Sequence, residues 1–124
     1  MMAQELKINS KPDTLATVLD LHGDVTMYAE AELTRAYRAA SADTTRAIIL
    51  NFAGTEYINS AGIAIIISLL TEARAAGVTL VICGLNSHYQ KIFRMVGLTQ
   101  YAEIFDNEAS AVLALTDRRA VPRS

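Results

Sequence analysis

The sequence predicts an α/β sandwich in which helices pack against a mixed central sheet of four to five strands that opens with a β-hairpin. Three observations carry that expectation. The N-terminal region alternates apolar and polar residues with the two-residue period of half-buried strands. Two short runs, residues 47–52 and 78–83, are almost wholly apolar, as strands buried on both faces are. Other segments carry apolar residues three and four positions apart, the spacing of amphipathic helices.

Taken in order, Glu5-Leu6-Lys7-Ile8-Asn9 reads as a first strand, and Ser10-Lys11-Pro12-Asp13 as turn chemistry. Residues 15–21 resume an extended pattern closed by His22-Gly23-Asp24, which completes a hairpin. Residues 28–40 set Ala29, Leu33, Ala36, Tyr37 and Ala40 on one helical stripe, and Ser41-Ala42-Asp43-Thr44 breaks it. After the apolar strand 47–52 comes a segment from Ser60 to Ala76. Its run Ile63-Ala64-Ile65-Ile66-Ile67 is β-branched, but its length, the Asn and Ser at its start and Gly77 at its end mark a helix. The strand 78–83 follows, then a helix from Asn86 or Ser87 to about Met95, ended by Gly97. A short strand near residues 101–105 and a helix over 107–115, capped by Asp106 or Asn107, finish the domain. One domain over residues 1–115 is expected, with 116–124 a frayed tail.

Composition narrows the function classes. The chain has 124 residues, 52% hydrophobic and 19% charged, with a formal net charge of −2. That is globular rather than disordered, and it supplies no basic field for nucleic acid or an anionic membrane. The longest apolar run, Ile63 to Leu70 broken by Ser68, falls well short of the ~20 residues that cross a bilayer. The N-terminal residues lack the basic-then-apolar pattern of a secretory signal. Cys83 is the one cysteine, so no disulfide framework exists and a cytoplasmic home is expected. With two His and one Cys, a zinc site is not expected; no cofactor or metal is. His22 and His88 read as polar surface or loop-edge residues, and Cys83 as a buried, inert thiol.

The enzyme templates fail. The chain has no phosphate-cradling G-x-x-x-x-G-K-[ST], no G-x-G-x-x-G after a strand and no G-x-S-x-G elbow. The segment Asn59-Ser60-Ala61-Gly62-Ile63 is more informative. A serine at a helix start lies at the positive end of the helix dipole beside unpaired amides. It can be a plain helix cap, or a hydroxyl that carries a phosphoryl group stabilised by those same amides. Gly62 leaves space at the helix entry, where a partner could approach the backbone. At 100° per residue, Ile63, Ile66, Ile67 and Leu70 share the face expected to cover the sheet. Ile65 and Leu69 fall roughly opposite with Glu72, a face either covered by the C-terminal helix or tail or left open as a partner-binding surface beside Ser60.

Around these residues the chain resembles the STAS domains, the anti-sigma factor antagonists and their relatives. Tyr57-Ile58-Asn59-Ser60-Ala61-Gly62-Ile63-Ala64 is similar to their core, roughly D-S-[SA]-G-[LI], whose first serine is the phosphorylation site. Leu21-His22-Gly23-Asp24 resembles their L-x-G-[ED] at the end of the second strand. Val81-Ile82-Cys83-Gly84-Leu85-Asn86, followed by Ile92-Phe93-Arg94-Met95-Val96-Gly97-Leu98, resembles a later family segment. Phe105 and the helix with Glu108, Ala109 and Ala111 complete the likeness.

The resemblance implies a non-enzymatic, cytoplasmic regulator of transcription that works by partner switching, monomeric when free. It would bind an anti-sigma factor serine kinase, be released by phosphorylation at Ser60, and be reset by a PP2C-type phosphatase. Asp24, Thr26, Asn59, Ala61 and Gly62 form the neighbourhood of that site. Asn59 stands where the family often has Asp, and Thr26 where many antagonists have a second Asp. Those two departures leave open a second reading, a non-phosphorylated STAS scaffold subunit of a larger signalling or transport complex.

Overall fold

The computed structural model describes residues 4–13, 15–42 and 47–120, with side chains through Asp117. Five strands, β1 (Lys7–Asp13), β2 (Ala16–His22), β3 (Ala47–Gly54), β4 (Thr79–Cys83) and β5 (Ile104–Phe105), form one sheet in sequence order. β1 is antiparallel to β2, and every later pair is parallel. The helices are α1 (Glu30–Ala42), α2 (Ser60–Ala75), α3 (Ser87–Met95) and α4 (Glu108–Ala120). Single 3-10 turns precede α1, at Met27–Ala29, and follow α3, at Leu98–Gln100.

Alternation along the strands splits the core in two. Leu19 and Leu21 of β2, Ile48, Leu50 and Phe52 of β3, and Leu80 and Ile82 of β4 face α1, α2 and α3. The intervening residues Val18, Ile49, Val81 and Cys83 face the other way, where Ala111 and Leu115 of α4 cover them. β3 and β4 are therefore buried on both sides, which is why they contain almost no polar residues.

Several expected boundaries move: α1 runs on through Ser41 and Ala42, which were expected to break it, and the strand expected near 101–105 is only Ile104–Phe105. Ser10-Lys11-Pro12-Asp13 is strand rather than turn, paired in register as far as Asp13 against Ala16. β1 is an edge strand, and an edge tolerates the amide that Pro12 lacks. Lys7, Lys11 and Pro12 also make that edge a poor template for pairing with another chain. The tail expected from Thr116 is helical to Ala120, because Leu115 sits on the sheet and extends the anchored part of α4. Residues 121–124, and Asp43 and Thr44 of the expected break after α1, lie outside the described residues.

The largest correction concerns α2. Ile65 and Leu69, expected to face a partner, are buried at 9% and 3% exposure, alongside Ile66, Leu70 and Ala73. The expected sheet-facing residues Ile63 and Ile67 are only partly buried at its flank. The helix lies in a crossover beside α1 and the 3-10 turn before it, so its buried arc covers the sheet and those neighbours together. Small residues set the rotation: Gly62 and Ala73 sit in the middle of the arc and let the helix approach closely. The open side of α2 carries Ser60, Ala64, Ser68, Thr71, Glu72 and Ala75.

Candidate functional site

The carboxyl ends of the parallel strands deliver two segments to one place. The chain leaving β2 passes Asp24, Val25 and Thr26 before its 3-10 turn. The chain leaving β3 passes Tyr57 and Ile58 before α2. They pair through a single parallel bridge between Val25 and Ile58. The Val25 amide donates to the Tyr57 carbonyl at 2.9 Å, and the Asn59 amide donates to the Val25 carbonyl at 3.2 Å. From the other side, the Ile58 amide donates to the buried hydroxyl of Tyr89 on α3 at 2.9 Å. The start of α2 is thus pinned from two sides, by the chain leaving β2 and by α3.

Asn59 is the N-cap, with extended backbone at φ −97°, and its Oδ1 accepts from the Gly62 amide at 2.9 Å. Its carbonyl accepts from the Ile63 amide at 2.9 Å. The amides of Ser60 and Ala61 are left without a protein partner among the described residues. The Ser60 side chain is exposed, Ala61 is half-buried and Gly62 is buried. The hydroxyl therefore stands in solvent at the positive end of a 16-residue helix, next to unsatisfied donors.

Gly62 differs from expectation. A Cβ there would stand 2.1 Å from the Val25 carbonyl oxygen, so the space is filled by the protein's own backbone and not held open for a partner. Gly23, in the second matching motif, has φ +120° and faces the Glu5 carbonyl, where a side chain could not fit. Both glycines permit backbone contacts that place the site.

Of the other expected residues, Thr26 belongs to the site's frame. It caps the following 3-10 turn, its hydroxyl accepting from the Tyr28 amide at 3.3 Å. Asp24 turns away from the α2 start: its carboxylate accepts from the Gln4 amide and its own amide donates to the Gln4 carbonyl, both at 3.0 Å. Glu72 is exposed but lies three turns along α2, paired with Arg38 of α1 at 3.4 Å. Exposed apolar side chains that were not expected lie on the two segments leading to and bridging the start of α2. Tyr57 is 50% exposed, and beyond the Val25–Ile58 bridge Met27 is 62% and Tyr28 85% exposed. Tyr57 lies in a loop and Met27 and Tyr28 in a single 3-10 turn, too short for periodicity to report burial; only their closeness in sequence to the two motifs could have singled them out.

The remaining chemistry is sparse. Cys83 is fully buried, and burial pushes its thiol up to about 12. Among the described residues no cluster of His, Cys, Asp or Glu could hold a metal ion, and no helix is long and apolar enough to cross a membrane. On the α4 face, Lys11 bridges Asp20 at 3.3 Å and Glu108 at 3.0 Å, and Asn51 donates to Asp20 at 2.9 Å. This network ties β1, β2, β3 and α4 together.

Comparison with known proteins bears on the fold and the family. The chain is 28% identical over 96 residues to BtrV of Bordetella bronchiseptica, a candidate anti-sigma factor antagonist, covering 77% of this chain and 81% of BtrV. Its fold is similar to that of an anti-sigma factor antagonist from Mycobacterium paratuberculosis, with a TM-score of 0.72 at 18% identity over 89% of this chain and 93% of that one. It is also similar to SpoIIAA, a Bacillus cell fate determinant. The unphosphorylated form gives a TM-score of 0.70 at 18% identity over 94% of this chain and 100% of that one. The phosphorylated form gives 0.66 at 18% identity over 88% and 99%. The model of the STAS domain matches residues 5–111, both strand-end segments and α2 included, and the chain belongs to that family.

Proposed function

We propose that this protein is a phosphorylation-switched regulatory module of the anti-sigma factor antagonist kind. Unmodified, it binds an anti-sigma factor serine kinase and so frees that kinase's client, a sigma factor or a protein in its place. The kinase transfers a phosphoryl group to the Ser60 hydroxyl and thereby releases the module; a PP2C-type phosphatase restores it. The kinase brings ATP, magnesium and the base, and this chain brings the hydroxyl and the surface. The work is done in the cytoplasm by a monomer.

One observation carries the reading: a solvent-exposed serine at the first position of α2, with two unpartnered backbone amides beside it. The helix terminus stabilises a phosphoryl dianion there without a dedicated arginine. Around it, Met27, Tyr28 and Tyr57 offer an apolar rim that a partner can cover. Adding a charge of about −1.5 to −2 beside that rim makes covering it costly. A relative that exists in both phosphorylated and unphosphorylated forms supports the same reading.

The test is peptide mapping by mass spectrometry of protein purified from its native cell, together with the Ser60→Ala variant. The expected result is one phosphate per chain, on the peptide containing Ser60, and none on the variant. Equal phosphate on the variant would overturn the assignment. Phosphate-free protein recovered in a large stable assembly would replace it with a constitutive scaffold role.

A further inference from the structure

A second site lies at the end of α2 far from Ser60, and it is independent of the reading above. β5 has only two residues and pairs with Ile82 and Cys83 alone, so the outer edge of β4 over residues 79–81 has no strand beside it. The gap is a cavity of about 320 Å³ between that edge, the last turns of α2 and the segment 99–103. That volume is at the small end of the range for small-molecule sites. Leu70 and Leu80 line it from the larger core, and Tyr101, 42% exposed, lines it from the segment opposite.

Two donors without a partner border this cavity, and the first belongs to the main chain. The Ile82 amide points away from β3 and donates to the Glu103 carbonyl at 3.0 Å. Peptide groups two residues apart in a strand point the same way, so the Leu80 amide turns to the same side, short of the reach of β5. It donates to no protein acceptor among the described residues, and Leu80 is 5% exposed. Buried amides left in that condition are rare, because each loses its hydration without a replacement. The second donor is Arg74 in the last turn of α2, whose guanidinium makes no ion pair among the described residues.

Little opposes an anion there. Glu103 is the one acidic residue in the lining, but Ala102 and Ile104 on either side of it pack with the core under α2, and Phe105 packs with the core under α4. Glu103 therefore turns its carboxylate to the α4 face, away from Arg74, where it has a partner of its own. It lends the cavity its main chain and not its charge. At the end of α2, the carbonyls of Glu72, Ala73 and Arg74 already accept from the amides of Ala76, Gly77 and Val78, which blunts the negative end of the helix.

One guanidinium, one unpaired amide and apolar walls are complementary to a single negative charge carried on an apolar body. We propose that the cavity binds a free monocarboxylic acid of about ten heavy atoms, at the ~30 Å³ that a water-sized group occupies. One carboxylate oxygen accepts from the Leu80 amide and the other meets the Arg74 guanidinium. The hydrocarbon part lies on Leu70, Leu80 and the Tyr101 ring. Inorganic phosphate would leave those walls uncovered, and a cation would meet Arg74.

The test is a two-dimensional amide NMR titration of the whole protein with phenylacetate and with hexanoate. Phenylacetamide keeps the body without the charge, and acetate keeps the charge without the body. N-acetyl-glycyl-L-phenylalanine offers the same two groups at the end of a peptide. The expected result is saturable shifts at residues 74, 78–81 and 99–103 with phenylacetate and hexanoate, and a downfield move of the Leu80 amide proton. Both controls and the peptide should bind more weakly by about tenfold or more. Arg74→Gln, at an exposed position, should weaken phenylacetate by a similar factor, and Arg74→Lys should keep part of the binding. Absence of saturable shifts, a Leu80 amide proton that stays in place, or equal binding of phenylacetamide would each overturn the proposal. Tighter binding of the peptide would overturn the free acid in favour of a polypeptide end. The control arm uses the unaltered protein, so a variant that folds poorly does not decide the outcome. The titration reads nothing at Ser60, so its failure leaves the phosphorylation reading standing, and the reverse holds as well.

Discussion

Gly62 shows how one hydrogen atom in place of a methyl group fixes the site. Its Cα lies against the Val25 carbonyl, and a Cβ would enter that oxygen at 2.1 Å. Gly62→Ala therefore has to lift the first turn of α2 away from the β2 exit, although alanine is the better helix former. The expected cost is about 1–3 kcal/mol, the usual range for overpacking, read as a lower urea midpoint. Asn59 acts at the same turn by another route. Replacing it with Ala removes the acceptor for the Gly62 amide and should cost about 1 kcal/mol, whereas Asn59→Asp keeps the cap. Cys83 supplies a pH-dependent prediction. In the folded protein its pKa is pushed up to about 12, above the ordinary thiol value of 9.0, because burial disfavours the thiolate. Below pH 9 both states hold the proton and the contribution to stability is complete. Between 9 and 12 only the folded state holds it, so stability falls with rising pH. The difference in unfolding free energy between the parent and Cys83→Ala should narrow across that window in urea melts. A flat difference would contradict the burial of the thiol. At this scale the sequence set Asn59, Ser60 and Gly62 at a helix start, and there α2 begins. It misassigned the role of Gly62, because the atom that needs the space, the Val25 carbonyl, is 37 positions away and invisible to any local pattern.

Among the elements, α2 and α4 teach different lessons. The existence and limits of α2 were legible, since a capping Asn, a 16-residue length and Gly77 are local signals. Its rotation was not. A helix with apolar residues almost all round has a weak directional pattern, and its arc is decided by what flanks it, here α1 and the 3-10 turn. The consequence is measurable. Ile65→Ala and Leu69→Ala should each destabilise the fold by about 2–5 kcal/mol, as truncations in a core do, and not merely weaken a partner. Ala64 and Ser68, on the open side, should tolerate substitution within about 0.5 kcal/mol. α4 covers the second core by itself. Leu115 is 7% exposed on the sheet while Leu113 is 62% exposed, so Leu115→Ala should cost about 2–5 kcal/mol and Leu113→Ala almost nothing. The sequence placed this helix but stopped it too early, because Thr116 and the charged residues after it look like tail until Leu115 is known to be anchored.

For the whole molecule, the architecture separates the proposed switch from the fold. All the parallel strands point their carboxyl ends one way, and α2 starts there, with its body locked into the larger core and its first two amides free. A phosphoryl group on Ser60 meets solvent and the helix terminus and displaces no packed atom. An anion in that position typically adds about 0.3–1 kcal/mol to helix stability. The charge should therefore leave the folded domain as stable as before, or slightly more so, while it abolishes partner binding. Two mechanisms can be told apart on this basis. If phosphorylation worked by loosening the domain, the phosphorylated protein would melt earlier and its amide exchange would quicken across α2. If it works by surface charge alone, the melting temperature should stay level or rise, and only the exposed rim of Met27, Tyr28 and Tyr57 should lose its protection by partner. Thermal melts and amide exchange on the two forms of the protein measure this directly. The locked seat of α2 predicts the second outcome, because Val25, Tyr89 and Gly62 hold the helix start whether or not the hydroxyl beside them is charged.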